Sequence, residues 1–237
     1  MLTLLFGTYA IAHVALLVWG FRLWRRDHAP GAPIIAMVAA GLIYDNFIIA
    51  DGATIGAGDL LVALSWPRFA LHSILTPFTI IAVWQFANAA EFSWARDRRA
   101  WVLVWIFVIA MVALGMATGL IGLDIHPACY QDTLRYSSAV SEAQLCFAGQ
   151  ETVVGHGPPI PSISTAVFAV GVGIALWRRR GWPWLLVGAL VMMAAAAVPT
   201  SQFGLGASNG GEVILLFSYA ATAAHFAPQN VSADISD

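Results

Sequence analysis

The sequence predicts an all-α, polytopic integral membrane bundle of seven transmembrane helices, and three observations support this. The 237-residue chain is 59% hydrophobic and only 10% charged, whereas soluble domains carry about 45–50% apolar and about 25% charged residues. Its apolar residues gather into seven segments that meet or approach the roughly 20 residues a membrane helix needs. They are 2–24, 33–51, 67–90, 101–123, 160–177, 182–200 and 212–226. The cations recur at alternate junctions between these segments, as the positive-inside rule requires of a multi-pass chain.

Segment 2–24 lacks a basic n-region and its apolar run is too long for a cleavable signal peptide, so it reads as a span. Arg22, Arg25 and Arg26 close it; Arg96, Arg98 and Arg99 follow the third span, and Arg178, Arg179 and Arg180 the fifth. Nine of the eleven cations thus lie on one side, which leaves Arg68 and Arg135 for the other. This asymmetry predicts an external N-terminus, a cytoplasmic C-terminus and residence in the plasma (inner) membrane. Trp19, Trp24, Trp94, Trp101, Trp177, Trp182 and Trp184 cluster at the arginine side like an interfacial aromatic belt.

Residues 1–227 therefore form a single membrane domain, and 228–237 read as a flexible cytoplasmic tail. Residues 52–66 read as Gly-rich turns followed by an external interfacial piece, with Asp59 placed to N-cap 60–64. The second long external connection, 124–159, is mostly polar and holds both cysteines, Cys129 and Cys146. Two cysteines confined to one external loop predict a disulfide. Within the same loop, His156-Gly-Pro-Pro reads as a rigid turn.

Several function classes are excluded or weakened. All cations are arginines, so no lysine is present for Schiff-base chemistry or a covalently held retinal. A net charge of −2 argues against nucleic acid as a partner. No HExxH, CxxC, GxSxG or Walker sequence occurs, and neither a metal nor another cofactor is expected. Gly115 and Gly119 have the GxxxG spacing of close helix packing.

Ionisable groups inside apolar spans are costly and mark candidate sites. Asp45 lies six residues, about 9 Å, deeper than Asp51, which stands near the outer boundary. Tyr44 and Asn46 flank it. In the third span Ser65, Arg68, His72, Thr76 and Thr79 share one helical stripe. Arg68 can pair with a carboxylate on the neighbouring helix, and His72, one turn deeper, can exchange protons near neutral pH. The expected catalytic group is therefore Asp45, Arg68 and His72, with Tyr44, Asn46, Thr76 and Glu212 in substrate binding. The plainer alternatives are an interhelical hydrogen-bond network around Asp45, an Arg68 that reaches to headgroups, and a Glu212 that only caps the last span. His13, near mid-bilayer with Tyr9 one turn earlier, reads as a packing histidine. Ser218, Thr222 and His225 form a second stripe that ends in a hydrated His225.

In outline the chain is similar to integral-membrane terpene cyclases. These are small seven-span bundles with a carboxylate in the second helix, compared here with Asp45, and another near the last, compared with Glu212. The surrounding residues do not match, and no family is assigned. The leading expectation is a membrane-embedded enzyme acting on a lipid or isoprenoid by acid/base chemistry. Its partners would be the bilayer and a hydrophobic small-molecule or lipid substrate, in an apolar slot lined by Trp66, Phe69, Phe78 and Trp84. The competing expectation is a non-enzymatic transporter, receptor-like or accessory protein that binds a lipid or cofactor.

Overall fold

The computed structural model describes residues 1–155, 157 and 159–228. The tail 229–237 and His156 of the expected rigid turn lie outside the described residues. Helix α1 covers Leu2–Arg25, α2 Ala32–Ile55, α3 Asp59–Ala89, α4 Arg98–Gly119, α5 Ile160–Arg180, α6 Trp184–Ala196, α7 Thr200–Phe203 and α8 Gly206–His225. Five of these, α1 to α5, are long and apolar enough to cross a membrane. Helix α6 is apolar but has 13 residues, about 20 Å of rise against a hydrocarbon core of about 30 Å.

The helices pack as a closed ring, α1–α2–α3–α5–α6–α8 and back to α1, with α4 outside it against α3 and α5. Small residues permit the closest approaches. Gly20 of α1 faces the backbone of Ala36, and Ala32 and Ala39 are fully buried in the same seam. Gly115 and Gly119 of α4 lie against Ser73 of α3, the close packing their spacing predicts. The peripheral place of α4 explains its burial: within 22 residues only Val104, Val108 and Gly115 are buried.

Two ends of the bundle differ in chemistry. At the arginine end, Arg180 Nε donates to the Ala90 carbonyl at 2.9 Å. Arg96 pairs with Glu91 at 2.9 Å within the α3–α4 connection, and Arg180, 3.5 Å from the same carboxylate, ties that connection to the end of α5. Trp182 Nε1 donates to Thr222 Oγ1 at 3.0 Å, and His225 stacks on the Trp182 ring at 3.9 Å. The terminal histidine of that stripe thus packs on an aromatic face.

At the opposite end the segment 124–155 holds regular structure that its polar composition did not predict. Strands β1 (His126–Tyr130) and β2 (Thr133–Ser137) form an antiparallel hairpin. Cys129 and Cys146 stand at disulfide distance, with Cα atoms 5.1 Å apart, and fasten the hairpin to the segment that follows it. The hairpin turn is clasped to the start of α1, where Leu2 N donates to Asp132 Oδ1 at 2.7 Å and Thr3 Oγ1 to the Asp132 carbonyl at 2.9 Å. Its other side rests on α2, where a Cβ at Gly52 would collide with the Leu134 carbonyl.

Four sequence expectations are corrected here. Residues 52–66 are not a separate interfacial piece, because α2 runs on to Ile55 and α3 starts at Asp59, with a connection of three residues. Asp59 is the first helical residue, the N-cap is Gly58, and no side chain caps the helix. The last helix begins at Gly206, six residues before Glu212, so Glu212 does not cap it. The glycines at 204, 206, 210 and 211 read as a turn, yet only Gly204 takes a positive φ, of 62°. The others are small contacts inside the helix: Gly210 faces the Tyr9 hydroxyl and Gly211 faces Ala195 and Met192.

Candidate functional site

The short α2–α3 turn sets the depth of every residue in the site. In an antiparallel pair, residues equally far from the turn lie side by side. Asp45 is ten residues before the end of α2 and Arg68 nine after the start of α3, each about 14–15 Å down its helix. The same rule pairs Leu42 with His72 and Val38 with Thr76. Arg68 Nε donates to Asp45 Oδ1 at 2.8 Å, with side-chain exposures of 7% and 23%. The expected ion pair is present and largely shielded from solvent.

Asn209 on α8 holds the other carboxylate oxygen. Its Nδ2 donates to Asp45 Oδ2 at 3.2 Å and to Asn46 Oδ1 at 3.1 Å. Asn46, fully buried, donates in turn to the Leu42 carbonyl of its own helix at 2.9 Å. The polar centre therefore ties together α2, α3 and α8. Sequence reading missed Asn209 because it sits among glycines that mimic a turn. The available signal was its i, i+3 spacing to Glu212, which places both on one helical face.

A groove between α2 and α3 opens onto this centre. Asp45, Arg68, His72 and Thr76 line it together with Val38, Gly41, Leu42, Leu71 and Leu75. His72 stands exposed at its mouth. The cavity measures about 30 Å³, room for a water or two rather than a hydrocarbon chain. The aromatic slot proposed from sequence does not form. Trp84 is 3% exposed, in a cluster with Trp94 and Trp101, Phe78 packs on Trp105, and Phe69 lies under the Arg68 guanidinium.

The expected binding residues fall in different places. Thr76 lines the groove. Tyr44 does not line it; its hydroxyl donates to the Leu64 carbonyl at 2.8 Å and holds α2 against α3. Asn46 acts through Asn209. Glu212 is off the groove but within electrostatic range of Asp45 and Arg68.

Four polar atoms around the site are buried without a hydrogen-bond partner: Arg68 Nη1, Ser65 Oγ, His13 Nε2 and Glu212 Oε2. His13 is fully buried, and its Nδ1 lies 2.8 Å from the Tyr9 carbonyl. The Tyr9 hydroxyl bonds to the Gly206 carbonyl at 3.0 Å, which holds α1 to α8. Asp45 is within electrostatic range of His13, His72, Glu212 and Arg135. Several unsatisfied groups around one carboxylate are unusual, since most buried polar atoms in native structures are partnered. Such orphans are where a ligand, a water or a proton could be held. Among the described residues, no group of three or more His, Cys, Asp or Glu is placed to hold a metal ion.

No family model, curated protein or solved structure matches this chain. The reading of the site rests on its own geometry.

Proposed function

We propose that this protein is a seven-span enzyme of the plasma (inner) membrane, with its N-terminus outside and C-terminus in the cytoplasm. In this reading it acts on a lipid or isoprenoid by acid/base chemistry. The observation that carries the proposal is the shielded Asp45–Arg68 pair at the floor of a groove whose mouth, at His72, is exposed on the bundle surface. A hydrocarbon substrate would approach laterally along Val38, Leu42, Leu71 and Leu75. Arg68 Nη1, a buried donor without an acceptor, would take an oxygen of the substrate's polar group. Asp45 would act as the base, held in orientation by Arg68 and Asn209, while His72 would exchange the proton at the groove mouth. Substrate entry requires α2 and α3 to part beyond the present 30 Å³.

A second reading is favoured by that same small volume. With room only for water, the centre would bind α2, α3 and α8 together or carry a proton in a non-enzymatic transporter or accessory protein. Lipid extracts from cells expressing the wild type, Asp45→Asn and His72→Ala decide between the two readings. The enzyme reading expects a lipid or isoprenoid species that changes with the wild type alone, while both variants are inserted in normal amounts. Identical lipid profiles from all three would overturn it.

A further inference from the structure

The cavity at the hairpin end is much larger than the groove, at about 530 Å³, within the usual range of small-ligand pockets. It lies between β2, the segment after it, and the connection from α6 to α8. Among the described residues its polar lining is Arg135, Ser137, Ser141, Gln144, Thr152 and Thr200, with no carboxylate. The walls are held from several directions. Besides the Cys129–Cys146 link, Val140 and Val153 exchange backbone hydrogen bonds of 2.9 Å, and Gln144 Nε2 donates to the Thr200 carbonyl at 3.1 Å. A cavity fixed in this way is preorganised, so a ligand spends little binding energy on ordering it.

Arg135 is the one charged residue in this lining among the described residues. It is half-buried, and no side-chain hydrogen bond or ion pair engages it among the described residues. Burial, with the positive charge of Arg68 adding to it and Asp45 opposing, pulls its pKa down to about 10. It is still a cation at neutral pH. None of its guanidinium nitrogens is a buried, unpartnered atom, so its five donors open onto the cavity, where an anion would take the place of water. The planar fork matches the paired oxygens of phosphate or carboxylate, and the hydroxyls of Ser137 and Thr152 add donors on the same walls, while the Ser141 hydroxyl donates to Gln144 Oε1 at 3.2 Å.

We propose that this cavity is an oxyanion-binding site anchored by Arg135, taking a phosphate or carboxylate group from a soluble small molecule or a lipid headgroup. It is separate from the α2–α3 groove and does not depend on that groove being catalytic.

The test uses the full chain in phosphatidylcholine nanodiscs and phosphate-free buffer, with thermal unfolding as the readout of ligand binding. Inorganic phosphate or acetate is titrated in one arm, and phosphatidylglycerol replaces part of the lipid in the other. Stabilisation in the first arm identifies a soluble anion; stabilisation in the second alone identifies a headgroup. Arg135→Gln should weaken the effective ligand about tenfold or more, the size of a lost charge-assisted hydrogen bond, and Arg135→Lys should weaken it less. Thr152→Trp, which fills the cavity from its exposed rim and leaves Arg135 in place, should abolish the effect and decides the matter if Arg135→Gln fails to fold. Absence of stabilisation by phosphate, acetate and phosphatidylglycerol alike, or equal stabilisation of wild type and Thr152→Trp, would overturn the proposal.

Discussion

A carboxylate with 23% of its side chain exposed and an arginine with 7% are expensive to separate once they have been brought together. Removing one partner of a buried pair leaves the other charge uncompensated, at about 3–5 kcal/mol. Arg68→Met should therefore lower stability in that range, measured by denaturant titration in mixed micelles, and Asp45→Leu combined with Arg68→Met should recover part of the loss. Asn209→Leu removes a neutral donor, so a smaller cost of about 1–3 kcal/mol is expected. An Asn209→Leu cost equal to that of Arg68→Met would mean that the amide, not the ion pair, organises the centre. Asp45, Arg68 and His72 were legible in the sequence because lipid makes any ionisable group conspicuous. Asn209 was not, because a neutral amide among glycines carries no such mark.

Among the elements, the hairpin departs most from expectation. Strands of five residues flanked by polar turns give weak periodicity, and a two-stranded ribbon alone is marginal in water. Its stability comes from what holds it: Cys146, the start of α1, and the top of α2 at Gly52. Replacing both cysteines by serine opens a link between residues 17 apart, and a loss of about 3 kcal/mol is expected from a loop of this size. Gly52→Ala places a methyl against the Leu134 carbonyl and should displace the hairpin from α2 at about 1–3 kcal/mol. Faster proteolysis within 124–159, with the helices intact, is the measurement. Unchanged proteolysis in both variants would show that neither the Cys146 link nor the Gly52 contact is needed to hold the hairpin. Helix boundaries were legible where arginines and prolines punctuate the chain. They failed at 52–66 and 204–211, where Gly52, Gly206, Gly210 and Gly211 lie inside helices and serve packing, and only Gly56, Gly58 and Gly204 take the positive φ of a turn.

For the whole molecule, the nine arginines gathered at one end predict the orientation in the bilayer. Reporter fusions after Arg26, Arg99, Arg180 and the C-terminus should all report cytoplasm, and an external C-terminus would remove or add a span. Among the described helices, α1 to α5 are long and apolar enough to cross by themselves, so the reporters after Arg180 and at the C-terminus test α6 and α8. The sequence alone determined the helical, membrane-type composition, the segregation of arginines, the paired cysteines and the polar groups that lipid would make costly. Each of these is local, a property of residue type and spacing. The tertiary structure decided that α1, α2, α3, α5, α6 and α8 close a ring, that α4 stands outside it, and that Asn209 meets Asp45. It also decided that a half-buried Arg135 lines a cavity beside the hairpin. Those facts depend on which faces meet. In a chain whose spans are apolar almost all round, hydrophobic periodicity does not specify the faces; small-residue contacts and a few buried hydrogen bonds do.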